Sequence, residues 1–387
     1  MQAKTTIGRL FAATAIALAA AQASYAAAPA VQTVGKVERV AAFDGAMPTG
    51  VTVAEGGRIF VNFPRWGDEV PYTVAEIRKG KPVPYPDAAI NREDPRDPAR
   101  GLISVQSVVA DGQGRLWILD TAAPGFAAPK AGGAKLVAVD LKTDKVVKTV
   151  VFPPDVILPS TYVNDVRFDF RAGREGTAYV TDSSLSGPGA IIVLDLASGK
   201  ALRRLNGDKT TAADPTFVPR VEGEVLQQRG ADGKTAPFAV ASDGIALSPD
   251  GQTLYFSPLS SRRGYAVPTA LLRDPAVSEA ELSKAVRDLG EKGASDGLET
   301  DAAGKLYATD YEHNAIRALG SDGAWRIIAQ HPEMLWPDTL SVGKDGYLYV
   351  MANQLHRQPG FHGGKDLRQK PYRLLRVKIG SGPAPTR

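Results

Sequence analysis

Asp165, Asp243, Asp296 and Asp338 each stand immediately before, or at the head of, an alternating apolar run that leads to a glycine turn. Asp243 and Gly251, Asp296 and Gly304, and Asp338 and Gly346 are all eight positions apart, and Ser107 is the polar counterpart in a further copy. Carboxylates gathered by such a repeat repel one another, and the repulsion is relieved by raised pKa values or by a bound cation. With Asn164 beside Asp165 and no cysteine in the chain, the available donors are all oxygen, which suits calcium or magnesium better than zinc or copper. A plainer role remains open for any single aspartate: Asp-Gly at a strand entrance caps a turn through backbone amides. Turn capping alone does not require the same residue in four units.

Other chemistries find less support. Asp120, Asp182 and Asp310 recur at the ends of second runs, where they are expected to stitch adjacent strands. The four histidines, His313, His331, His356 and His362, form no H-E-x-x-H pattern, and His356 and His362 fall on a glycine-rich segment that reads as a solvated loop. Neither a G-x-S-x-G elbow nor a P-loop or dinucleotide fingerprint occurs.

These residues need a scaffold, and the repeat supplies one. Ser104 to Ala110, Leu116 to Asp120, Lys135 to Asp140 and Val146 to Val151 read as a four-stranded meander. Asn164 to Asp169, Thr177 to Asp182 and Ala190 to Leu194 repeat the plan, and further units begin at Val51, Asp243, Asp296 and Asp338. Fixed internal spacing of strand pairs is the mark of a repeat architecture, and four strands per unit argue for propeller blades. Counting gives six, with five or seven as alternatives because the spacing between units is uneven. The isolated strand Val37 to Phe43 then joins Tyr372 to Ile379 and closes the ring, which covers edges that invite aggregation. Pro82 to Pro98 and the insertion Asn206 to Gly233 read as loops, and Ser278-Glu279-Ala280-Glu281 is a capping box opening one helix, roughly Glu279 to Leu289.

Composition narrows the setting. Residues 1–28, with Lys4, Arg9, an apolar run from Leu10 to Ala21 and a small-residue cleavage site, read as an export leader. A membrane anchor competes, but the run is shorter than the roughly 20 residues that span a bilayer. Removing Lys4 and Arg9 takes the formal charge from +4 to +2, so no basic surface for nucleic acid is expected.

Phe60-Val61-Asn62-Phe63-Pro64-Arg65-Trp66 followed by Val70-Pro71-Tyr72-Thr73, Arg115 to Thr121, Val163-Asn164-Asp165, Ala178 to Ser183, Leu254 to Ser261 and Val267 to Asp274 together resemble the major royal jelly protein and yellow family. The ordered matches run from about residue 36 to 379. The resemblance implies a six-bladed propeller and an exported protein. The family includes insect proteins linked to pigmentation, dopachrome-converting enzymes among them, and others that bind small amines or serve as secreted food proteins. A more distant similarity is to the senescence-marker and gluconolactonase group, whose propellers hold a divalent cation in the channel through carboxylate and asparagine oxygens. It implies metal ligands at Asn164, Asp243 and Asp296, with Asp338 a further candidate. This chain lacks the cysteines of many insect members, and the early glutamate ligand of the lactonase group has no secure counterpart.

The expectation is therefore an all-β chain, a six-bladed β-propeller over residues 29–387 whose N-terminal strand closes the last blade, with one short inserted helix. Its channel is expected to hold a divalent cation, calcium before others, and a small organic ligand. Catalytic roles fall to Asp243 and Asp296, and ligand binding to Arg65, Gln106, Asp165 and Asp338. Hydrolysis of a lactone or related ester is the leading activity, the cation polarising the carbonyl and an aspartate acting on water. A non-catalytic binder of a small ligand is the alternative, and a scaffold for protein partners is a third. The protein is expected to be periplasmic or secreted and monomeric, with no nucleic-acid partner and no membrane span once the leader is removed.

Overall fold

Alternating runs such as Val105–Ala110 and Arg115–Asp120 pair as antiparallel hairpins, burying one face of each strand while their backbone groups satisfy one another. The turn glycines Gly251, Gly304 and Gly346 have φ of 72°, 79° and 75°, a region in which a side chain is strained. The computed structural model describes residues 33–387, so the leader read over residues 1–28 lies outside the described residues.

Six antiparallel sheets of four strands each make up the fold. Their first strands are Gly50–Val53, Val105–Ala110, Val163–Asp169, Ser242–Leu247, Leu298–Thr300 and Pro337–Val342. Each of these touches the next, and the last touches the first, so they ring a central axis. The sixth sheet runs Pro337–Val342, Tyr347–Ala352, Tyr372–Lys378 and then Val37–Phe43, with Val37 opposite Val377 and Phe43 opposite Tyr372. The orphan strand thus closes the propeller at the predicted seam. Apolar clusters fill the spaces between blades, as where Trp117 of the second blade stacks on Phe168 of the third at 4.9 Å. This inter-blade burial is the main source of stability.

Three details depart from the sequence reading. Lys81–Pro84 is not loop but the fourth strand of the first blade; as an edge strand it tolerates the prolines that obscured it. The helix runs only from Glu279 to Ala285, because Arg287–Glu291 pairs as the outer strand of the fourth blade, and a five-residue helix, Thr269–Arg273, precedes it. The insertion from Asn206 to Gly233 contributes one short hairpin and the first strand of a second that ends at Pro237, and buries Phe217, Val221 and Leu226 in the same apolar cluster as Tyr311 and Trp336. The capping box itself is formed: Ser278 accepts from the Glu281 amide and the Glu281 carboxylate accepts from the Ser278 amide. Ser278→Ala should lower stability by about 1 kcal/mol in urea unfolding, with the slope of the transition unchanged.

At one end of the axis the C-terminal residues cross the ring. The Ala302 amide donates to the Gly382 carbonyl and the Phe170 amide to the Thr386 carbonyl, both at 2.8 Å. The aspartates head the inner strands and face the other end.

Candidate functional site

Four inner strands are bulged at their entrances, between Val105 and Ser107, Val163 and Val166, Ser242 and Ile245, and Pro337 and Leu340. The bulges contain Gln106, Asn164 with Asp165, Asp243, and Asp338. An extra residue in one strand re-aims side chains, here toward the axis. The glycines after two of the aspartates have a packing role: a Cβ on Gly244 would lie 2.6 Å from the Asp296 carbonyl, and one on Gly297 would lie 2.4 Å from the Asp338 carbonyl. Asp-Gly in this repeat therefore marks close approach of neighbouring blades. Threonines on second strands satisfy amides at these strand entrances: Thr181 Oγ1 accepts from Asp165 at 3.2 Å in the bulged third blade, and Thr309 Oγ1 accepts from Asp296 and Gly297, each at 3.0 Å, ahead of the unbulged strand of the fifth.

The structure brings Gln106, Asn164, Asp165, Asp243, Asp296 and Asp338 together around a deep, narrow cavity of about 10 Å³. All six are buried, yet their electrostatic surroundings differ. Asp165 is charge-compensated: Arg167 Nη1 lies 3.0 Å from both of its oxygens, and Ser107 Oγ donates to Oδ1 at 2.7 Å. Asp296 accepts from the indole N–H of Trp336, at 2.7 Å on Oδ2, and from the Asp243 carboxyl beside it. Burial pushes its carboxyl up to about 6, with the indole opposing. Asp338 accepts from Asn353 Nδ2 at 2.6 Å, and burial and the neighbouring Asp296 push it well above the usual carboxylate range. Asp243 is pushed up most plainly by burial, then by Asp296 and Asp338. Among the described residues no lysine or arginine pairs with Asp243, Asp296 or Asp338.

Above this floor opens a chamber of about 140 Å³ whose walls include Trp66, Phe126, Tyr162, Phe238, Leu355 and Phe361. Trp66 stacks on Phe126 with centroids 4.8 Å apart, and Phe126 lies 4.8 Å from Tyr162. Part of the surround comes from the long insertion, whose Glu222 holds His356 Nε2 at 2.8 Å and Arg357 Nη2 at 2.5 Å. His356 is accordingly buried, stacked on Trp336 at 5.9 Å, and the solvated-loop reading of this segment fails for it.

Arg65 is placed differently from the other expected residues. Its Nε donates to the Ile103 carbonyl at 2.8 Å and Nη1 to the Val70 carbonyl at 2.7 Å, so it braces the loops joining the first two blades, and the adjacent Trp66 occupies the chamber wall. Asp120, Asp182 and Asp310 stitch strands as expected, through Lys135, Arg203 and Arg317 respectively. The sequence reading missed Trp336, Asn353, Tyr162, Phe126 and Arg167. Trp336-Pro337-Asp338 offered a signal, an aromatic directly ahead of a repeat aspartate; the others carried none.

A second group of ligand atoms, from Asp310, Glu312 and His313, clusters within 4.8 Å. Arg317 Nε lies 2.6 Å from Asp310, and Arg262 Nη2 lies 2.6 Å from Glu312, so arginines already neutralise that group. The channel acids, without such partners, fit a divalent cation better, with Asp243, Asp296 and the amide oxygen of Asn164 as the donor set.

A sequence model of the family described as "Major royal jelly protein" matches residues 103–385. Protein yellow of Drosophila erecta is 31% identical over 316 residues, covering 76% of this chain and 52% of its own. Protein yellow of Drosophila melanogaster is 31% identical over 314 residues, with the same coverage of 76% and 52%. The chain thus spans about half the length of the curated relatives it matches. Among solved structures, a putative gluconolactonase superposes with a TM-score of 0.54 at 13% identity, covering 90% of this chain and 95% of that one. Regucalcin of Agrobacterium tumefaciens, described as a calcium-binding protein, gives 0.52 at 14% identity, covering 90% and 98%. At such identities the structural likeness establishes the propeller alone, whereas the sequence match over most of the length establishes kinship: the chain belongs to the major royal jelly protein family.

Proposed function

We propose that this is an exported protein whose channel binds a divalent cation, calcium foremost, together with a small organic ligand, and that it hydrolyses a lactone or related ester. The observation that carries the reading is the set of three buried carboxylates without a cationic partner, Asp243, Asp296 and Asp338, beneath a chamber of ligand size. Three acids so placed repel, and a divalent ion offsets that repulsion. Asn164, Asp243 and Asp296 hold the ion; Trp336 fixes Oδ2 of Asp296 and so orients the carboxylate. When bound, the cation supplies polarisation of an ester carbonyl. Asp296 also accepts a proton from attacking water. The two solved propellers described as a putative gluconolactonase and as a calcium-binding protein support the reading by fold.

The test is hydrolysis of a broad lactone and ester panel by the purified protein, with calcium and with excess chelator. Calcium-dependent turnover lost in Asp243→Asn is the expected result. Calcium binding without turnover of any panel member would establish instead the non-catalytic small-ligand binder, a reading favoured by the apolar chamber walls and by the absence of a first-blade carboxylate lining the deep cavity.

A further inference from the structure

A hydrogen-bond relay runs along the chamber wall. Trp66 Nε1 lies 2.8 Å from the Tyr162 hydroxyl, and that hydroxyl lies 3.0 Å from Gln106 Oε1. An indole nitrogen can only donate. Tyr162 accepts from Trp66, and its own hydroxyl donates to Gln106 Oε1, the orientation of the amide that the structure shows. Tyr162 is fully buried against the aromatic wall, and burial pushes its phenol up, so it keeps that hydrogen at every physiological pH. The relay leaves both hydrogens of Gln106 Nε2 for an occupant of the space that Gln106 lines, at the junction of the chamber and the deep cavity. Whatever sits there offers an acceptor.

The walls restrict the rest of the occupant. Trp66 and Phe126 are stacked with an interplanar angle of 23°, and Phe126, still 41% exposed, stands where an entering ring can lie against it. On the other side Phe238 and Phe361 meet edge to face at 5.5 Å. A polyhydroxylated sugar lactone finds few partners on such walls, and each buried hydroxyl left unpaired is costly.

We infer that the ligand is a flat, largely apolar ring compound bearing a carbonyl, an aryl-fused lactone or aryl ester, and that Gln106 is the residue that recognises its carbonyl oxygen. The inference rests on the ester-hydrolase reading for the reaction and on the chamber walls for the ligand class. In that reaction the acyl C–O bond breaks, the hydroxyl of water joins the acyl carbon, and its proton passes to the departing ring oxygen.

Two measurements on the calcium-loaded full chain separate the two readings. In the first, binding of α-tetralone, a fused-ring ketone that cannot be hydrolysed, is compared with tetralin, which lacks the carbonyl. α-Tetralone should bind about tenfold more tightly, the weight of one hydrogen bond. The preference should fall in Gln106→Leu, leaving the share that the cation contributes, and shrink in Tyr162→Phe, which keeps the wall but frees the amide to turn; the second variant suffices where the first does not fold. In the second, dihydrocoumarin should be hydrolysed and glucono-δ-lactone should not. Equal binding of α-tetralone and tetralin, or a preference that survives undiminished in both variants, overturns the inference. Turnover of glucono-δ-lactone alone also overturns it while upholding the hydrolase reading. Carbonyl-dependent binding without turnover of dihydrocoumarin upholds the ligand class and overturns the hydrolase reading.

Discussion

Calcium added at hundredfold its Kd at pH 7.5 should stabilise the protein by about 2.7 kcal/mol, a rise of several degrees in Tm for a domain of this size. Asp243→Asn should abolish that rise and, in chelator, should make the protein more stable than the parent by about 1–2 kcal/mol. The opposite signs follow from the site. Asp243, Asp296 and Asp338 are buried together, and the carboxyl of Asp243 is held well above its ordinary range by burial and by the other two acids. Replacing one carboxylate by an amide of the same shape removes repulsion from the empty site and a donor from the filled one. The pH dependence gives a second reading of the same physics. Asp296 titrates at about 6 in the folded chain against an ordinary 3.8, so the folded protein holds this proton more tightly than the unfolded one. Stability from Asp296 is therefore fully present below about pH 4 and lost as pH rises to 6. The calcium-free protein should lose stability across that window, and the calcium-induced rise in Tm should be small at pH 5 and complete above 6.5. A calorimetric series at fixed ionic strength checks both. An Asp243→Asn protein that is less stable than the parent in chelator, or a calcium effect that is flat from pH 5 to 7.5, would sink the cation site.

The contrast between Asp296 and Arg65 shows how far such a site is legible in the sequence. Asp296 was recoverable because the repeat puts chemically equivalent residues at equal distance from a turn glycine, and a propeller converts that periodicity into convergence on one axis. Its indole partner, Trp336, lies in the next blade, and no spacing rule connects two residues whose meeting depends on blade rotation. Arg65 stands in a conspicuous motif, but a guanidinium beside a buried loop is taken up by the nearest backbone carbonyls. The proline-bearing strand Lys81–Pro84 was lost for a related reason: edge strands need not use every amide, so the residues that argue against a central strand say little there. Turn chemistry also pointed the wrong way for Gly244 and Gly297, which are small because a neighbouring carbonyl passes within 2.6 Å and 2.4 Å of where a Cβ would lie.

Asp120→Ala should be the most damaging single change outside the channel floor, lowering stability by about 3–5 kcal/mol. The carboxylate lies at the end of the second strand of its blade and is fully buried, as is the Lys135 ammonium 2.7 Å from its Oδ2. It also receives the amides of Ile103 at 2.7 Å, Ser104 at 2.9 Å and Ala122 at 3.0 Å, so one side chain ties the strand entering the blade, the turn leaving its second strand and the third strand beside it. Alanine leaves those donors and a buried ammonium unpaired. Lys135 retains only the carbonyls of Pro98 and Gly133, at 2.9 Å and 3.1 Å, which cannot offset its charge. Asp120→Asn should cost less than alanine, because an amide oxygen still accepts from two of the backbone donors. Adding Lys135→Met to Asp120→Ala should recover part of the loss, since removing both charges restores a neutral interior even though the cavity persists. Urea unfolding of the four proteins forms a double-mutant cycle with a coupling of about 2 kcal/mol expected. A coupling near zero would mean that the amides, not the ammonium, set the value of this carboxylate, and that the repeated aspartate at second-strand ends serves as a loop clamp before it serves as an ion-pair partner.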